Sequence, residues 1–111
     1  MYQGKTVLCG ASAYEEKFYL NENFKGLPES IKDELKIMCV LYTQDVGGVL
    51  TLEFDEEGSL CFHTEAEEAD YSYDDIGSVL KIKELQREKV ELLEALEMYY
   101  KTFFLGADYG I

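Results

Sequence analysis

Few residues in this chain of 111 are suited to acid–base, nucleophilic or metal chemistry. They are one histidine, His63, three cysteines, Cys9, Cys39 and Cys61, and 23 acids. Cys61 and His63 are two positions apart. On an extended strand they share a face, with Cα atoms roughly 6–7 Å apart, too far for an unaided nucleophile–base hydrogen bond. Glu53, expected opposite Cys61, would raise the thiol pKa by like-charge repulsion, the wrong direction for a nucleophile. Cys9, Cys39, Cys61 and His63 have the ligand types of a Cys₃His zinc site, but no C-x-x-C spacing brings them together. His63-Thr64-Glu65 matches half of a zinc-deaminase signature. The other half needs a Pro before a C-x-x-C, and the chain's single Pro is Pro28. Gly4-Lys5-Thr6 resembles the end of a phosphate-binding loop, but too little chain precedes it for the first glycine and the strand. Glu65, Glu67, Glu68 and Asp70 can attract hard cations, but the D-x-[DN]-x-[DN]-G loop that would hold calcium is absent. The expectation is no enzyme, no metal and no cofactor.

Charge is the more informative signal. The formal net charge is −13, and the 44 residues 37–80 hold eleven acids and no Lys or Arg. These acids are Asp45, Glu53, Asp55, Glu56, Glu57, Glu65, Glu67, Glu68, Asp70, Asp74 and Asp75. Such a chain lacks the basic stripe that follows a nucleic-acid backbone, and it is repelled by anionic lipid. No run of 18 apolar residues suggests a membrane span, and Met1–Lys5 leads into too short an apolar stretch for a signal peptide. Three widely spaced cysteines fit a reducing cytoplasm. One reading of the acidic block is a solubilising surface. The other is a binding face for a basic protein, with Glu53, Glu65, Glu67, Glu68, Asp70, Asp74 and Asp75 as its residues.

The elements that must carry these side chains follow from periodicity. The length suits one domain, residues 1–111. Lys5–Cys9 can be a short strand. Residues 11–24 stay open between a helix begun by a Ser12/Glu15 capping box and a strand at Lys17–Leu20. Pro28 and Glu29 suit a helix start, and Ile31, Leu35, Met38 and Tyr42 form an apolar stripe running to a stop at Gly47-Gly48. The all-apolar run Ile37–Tyr42 predicts burial nearly all round; its rival is a strand at 37–43. Val49–Phe54 and Ser59–Thr64 alternate around Asp55-Glu56-Glu57-Gly58, a hairpin that pairs Phe54 with Leu60, Glu53 with Cys61, Leu52 with Phe62 and Thr51 with His63. Asp74 and Asp75 then suit the start of a helix reaching about Leu105, roughly 45 Å long. Ile82, Leu85, Leu92, Leu96, Tyr99 and Phe103 form a heptad seam interrupted by Lys89, with Val79, Leu93 and Tyr100 as a third column. The fold class is therefore α+β: a helix, a small antiparallel sheet centred on the hairpin, and a long C-terminal helix.

Leu27–Leu35 (LPESIKDEL) and Gln44–Phe54 (QDVGGVLTLEF) carry a resemblance. They resemble short acidic proteins of an uncharacterised family from Gram-positive anaerobic bacteria. The resemblance covers nearly the whole chain and implies a small bacterial cytosolic protein without an assigned activity.

The seam exceeds what a two-strand hairpin can cover, because six-residue strands reach only about 20 Å. A second copy could cover the remainder, with Lys89 near partner carboxylates; residues 1–27 folding back over the helix would do so within one chain. The aromatic cluster Tyr99, Tyr100, Phe103, Phe104 and Tyr109 fits core closure first, with an interface as the alternative. The leading expectation is a non-catalytic binding or adaptor protein that forms a homodimer through the C-terminal helix. The alternatives are an acidic nucleic-acid mimic directed at a basic DNA- or RNA-handling protein, and a small-ligand pocket between sheet and helix rich in tyrosine hydroxyls.

Overall fold

Strand alternation builds a four-stranded antiparallel sheet. In the computed structural model, which describes residues 5–106, its strands are β1 (Thr6–Ser12), β2 (Lys17–Leu20), β3 (Val49–Phe54) and β4 (Leu60–Glu65), in spatial order β2-β1-β3-β4. Three helices, α1 (Glu29–Val46), α2 (Asp75–Glu88) and α3 (Val90–Phe103), pack on one face, which makes the fold α+β. The hairpin has the expected register, with Gly58 at φ 87° in the turn. Leu50, Leu52 and Phe54 point to the core and are fully buried, while Thr51 and Glu53 on the other face are only half-buried. Residues 17–20 form a strand, so the Ser12/Glu15 helix does not exist. Ser12 Oγ instead accepts from the Tyr14 and Glu15 amides, each at 3.2 Å, and holds the β1–β2 turn. A bulge between Val7 and Cys9 turns both Leu8 and Cys9 into the core.

Helix α1 is continuous, and the alternative strand at 37–43 is not formed. Pro28 is its N-cap and Gly47, at φ 92°, its C-cap. Leu35, Met38, Cys39 and Tyr42 are buried, but Ile37 and Leu41 are 59% and 50% exposed. Burial all round is thus corrected: α1 lies on the surface of the domain, and one side of it meets solvent.

The single 45 Å helix is also corrected. It breaks at Lys89, at φ −110° and ψ 27°, into α2 and α3 of 14 residues each. The seam is used inside the chain. Leu85, Leu92 and Leu96 belong to the core, and Ile82 and Tyr99 pack against it. Phe103 alone of the seam is largely exposed, at 70%, and Val79 of the third column is 53% exposed. The cover comes from β1 and the segment before α1. Phe24 is fully buried and stacks on Phe54, Tyr100 and Phe104 at ring separations of 5.7, 6.3 and 4.6 Å. Thr6 Oγ1 is hydrogen-bonded to the Tyr100 hydroxyl at 2.8 Å. Lys89 Nζ lies 3.5 Å from Glu34 of α1 in the same chain, so its carboxylate partner needs no second copy. The aromatic cluster closes the core through Tyr100, Tyr99 and Phe104; Tyr109 lies outside the described residues.

Candidate functional site

The eleven acids of 37–80 are divided by β3 and β4. Asp55, Glu56 and Glu57 sit at the hairpin turn, and Glu65, Glu67, Glu68 and Asp70 at the opposite end of β4, about 20 Å away for six-residue strands. Glu53 lies on the outer sheet face with Lys5 at 4.0 Å, and Asp45 on α1 has Lys81 at 3.5 Å. Those two acids therefore have lysine partners. Among the described residues, Glu65, Glu67, Glu68, Asp70, Asp74 and Asp75 have no Lys or Arg within ion-pair distance.

The segment after β4 is fastened rather than loose. The Tyr14 hydroxyl, from the β1–β2 turn, donates to Asp70 Oδ2 at 2.6 Å and accepts from the Glu67 amide at 2.9 Å. Asp70 Oδ1 in turn accepts from the Ser72 amide and hydroxyl at 3.0 and 2.7 Å. These donors hold the Asp70 carboxyl below the ordinary aspartate range, Tyr14 first among them, while the same bond raises the Tyr14 phenol above its ordinary value. Asp74 is the N-cap of α2 and accepts from the Gly77 amide at 2.8 Å, and Asp75 lies in the first turn. Behind them, the Tyr73 hydroxyl donates to Ser78 Oγ at 2.9 Å, and Ser78 Oγ is hydrogen-bonded to the Tyr42 hydroxyl at 2.6 Å. This chain of hydroxyls ties the acidic segment, α2 and α1 together. Burial pushes the Tyr42 phenol up to about 12.

Beside these acids runs the edge of the sheet. Only β3 flanks β4. The Asp55 amide donates to the Ser59 carbonyl at 3.0 Å, while the Ser59 amide donates to Asp55 Oδ1 at 2.9 Å; Asp55 and Ser59 thus close the ladder at a hydrogen-bonded position, and the hydrogen-bonded pairs recur at Cys61, His63 and Glu65. The backbone polar groups of Leu60, Phe62 and Thr64 consequently face away from β3. The Leu60 amide donates to Glu97 Oε2 of α3 at 2.7 Å. Among the described residues, the Phe62 and Thr64 amides have no such cover.

The candidate catalytic and metal residues do not assemble. His63 is exposed and its Nε2 lies 3.3 Å from Glu65 Oε2. Cys61 contacts the Ser59 carbonyl at 3.7 Å, and burial, followed by Asp55, raises its thiol pKa. Cys9 and Cys39 are on the core side of the sheet, with sulfurs 3.9 Å apart. The Cys39 hydrogen bond and burial together push the Cys9 thiol far up. Among the described residues, no three His, Cys, Asp or Glu side chains form a metal-binding group. A cavity of about 690 Å³ lies between the β1–β2 turn and α1, with Glu16, Lys17, Phe18, Lys36 and Thr43 on its walls. Its lining includes no tyrosine.

Periodicity did not reveal Tyr14, Ser78 or Glu97. Tyr14 and Asp70 are 56 positions apart, Tyr42 and Ser78 36, and Leu60 and Glu97 37, so no local pattern links them. What exists is an α+β domain that presents an acid-flanked sheet edge. Residues 5–108 match a family of unknown function, DUF6145, and the chain belongs to that family. No curated protein and no solved structure matches it. Among the described residues, no helix is long and apolar enough to cross a membrane.

Proposed function

We propose that the chain is a non-catalytic binding protein whose acidic segment Glu65–Asp75 takes a basic partner protein. The observation that carries this reading is the fastening of that segment by Tyr14, at 2.6 Å to Asp70 and 2.9 Å to the Glu67 amide. A solubilising surface needs no fixed geometry. A recognition surface gains from it, because carboxylates already held in place lose less entropy when a partner arrives. On this reading the protein works in the reducing cytoplasm, where its three cysteines stay free.

Affinity capture followed by mass spectrometry tests the reading, with Tyr14→Phe as the decisive variant because it leaves the charge at −13. A basic protein retained by the wild type, released by salt and retained more weakly by Tyr14→Phe is the expected result. Equal retention by Tyr14→Phe would mean that net charge alone is read. A DNA- or RNA-handling enzyme as the captured protein would turn the reading toward nucleic-acid mimicry.

Self-association is a second reading, on a different surface from the seam. Ile76, Val79 and Leu80 on α2 are 75%, 53% and 61% exposed, an apolar group at helical spacing that favours contact with another copy. Sedimentation equilibrium of the wild type and Ile76→Asp/Leu80→Asp tests it; a wild type that stays monomeric at high micromolar concentration refutes it.

A further inference from the structure

We propose that β4 is a strand-addition site: an extended segment bearing lysine or arginine pairs with its free edge as a fifth strand. The proposal rests on the basic-partner reading above and names the conformation in which that partner binds.

The backbone supports it first. Phe62 and Thr64 each direct an N–H and a C=O away from β3, and a neighbouring strand can satisfy all four groups. Edge strands are commonly protected by lysine, proline or extreme shortness. Leu60–Glu65 has no lysine and no proline and is six residues long. The opposite edge, β2, has four residues and starts with Lys17. Among the described residues, the Leu60 amide is the one outward amide of β4 that is covered, by Glu97. The open part therefore starts at Phe62 and runs toward Glu65.

Charge then selects the occupant. Glu65, Glu67 and Glu68 follow directly on the open part, Glu97 stands beside its start, and Asp55, Glu56 and Glu57 lie beyond the other end. Lys101 lies against Gly58 at that turn, so the acidic excess is greatest at the Glu65 end. A second copy paired edge to edge would bring Glu65–Glu68 of one chain toward Asp55–Glu57 of the other, a repulsive arrangement. A cationic extended segment turns the same charges into attraction. Tyr14 holds the acids beside the edge instead of leaving them free to swing away.

An end-capped hexapeptide alternating lysine and valine is the probe. Hydrogen exchange read residue by residue by NMR is the first measurement, and titration of the peptide into wild type, Thr64→Pro and Thr64→Val the second. Thr64→Pro removes an outward N–H and blocks the edge while leaving the ladder to β3 intact; Thr64→Val keeps the N–H, and neither changes the charge. The expected result is at least about tenfold slower exchange at Phe62 and Thr64 with peptide, and about tenfold weaker binding to Thr64→Pro than to Thr64→Val. Peptide that binds in a salt-dependent way without protecting these amides overturns strand addition and leaves the acidic binding surface standing. Peptide that does not bind even at low salt overturns both. Protection that appears without peptide as protein concentration rises assigns the edge to a second copy and overturns the proposal. If Thr64→Pro does not fold, the exchange measurement on wild type decides alone.

Discussion

Leu96→Ala tests whether the C-terminal seam is core or interface. Leu96 is 1% exposed within a single chain and belongs to a core shared by the sheet and the helices. Cutting a fully buried leucine back to alanine loses its transfer free energy and leaves a cavity, about 2.7–5 kcal/mol in all. A tightly packed site such as this collapses little, so a loss of about 3–4 kcal/mol is expected. That is a large part of the roughly 5–15 kcal/mol that holds a domain of this size together. At about 4–6 °C per kcal/mol it lowers Tm by roughly 12–24 °C. Phe103→Ala is the companion variant. Phe103 is 70% exposed and touches Tyr99 with ring centroids 4.7 Å apart, so its loss should cost under about 1 kcal/mol. Urea denaturation of both variants and the wild type, at low and at high micromolar concentration, is the assay. A seam inside the monomer gives midpoints independent of concentration, whereas a dimer held together by that seam gains stability by mass action. The reasoning is refuted if Leu96→Ala costs less than about 1 kcal/mol, or if Phe103→Ala costs as much as Leu96→Ala and both depend on concentration.

Ser78→Ala should destabilise by about 2–3 kcal/mol, because it removes the hydroxyl to which both Tyr42 and Tyr73 are bonded, and Tyr42→Phe by only about 1 kcal/mol, because Ser78 keeps Tyr73; thermal denaturation that ranks them the other way contradicts the hydroxyl chain. Asp70 should titrate below the ordinary aspartate value and move back toward it in Tyr14→Phe, followed by carboxyl NMR shifts. A depressed carboxyl pKa contributes stability that is present above the ordinary value and is lost as pH falls through the folded value, so the Tyr14–Asp70 contact should weaken only once the pH falls below the ordinary aspartate range. In the native protein a thiol reagent should modify Cys61 first, and slowly near neutral pH because its pKa is raised, while Cys9 and Cys39 react only once urea opens the core; three equally fast thiols would contradict their burial. Phe62→Ala should cost about 1–3 kcal/mol, below the range for a fully buried phenylalanine, since Phe62 is only half-buried; His63→Ala should cost less than about 0.5 kcal/mol, and denaturation showing equal losses would mean the faces of β4 are reversed.

Local rules were enough for much of this protein. Period-two alternation and Gly58 determined the β3–β4 register residue by residue, because a slip of one would turn Leu52 and Phe62 to solvent. Pro28 and Gly47 bounded α1, and Asp74 marked the start of α2, since each meets the needs of a helix end by itself. The absence of Lys and Arg from residues 37–80 was readable without any structure. What tertiary structure decided concerns groups far apart in the chain. No proline or glycine marks the break at Lys89; α2 and α3 divide there while Leu85 and Leu92, on either side, both enter the core. The four residues Lys17–Leu20 are too short for periodicity to separate strand from helix, and pairing with β1 settled them. Ile37 and Leu41 read as core in a run of six apolar residues, but a helix at the surface buries only one side. Tyr14 met Asp70 only because the β1–β2 turn and the segment after β4 come together across the folded sheet, a distance in sequence that no local pattern encodes.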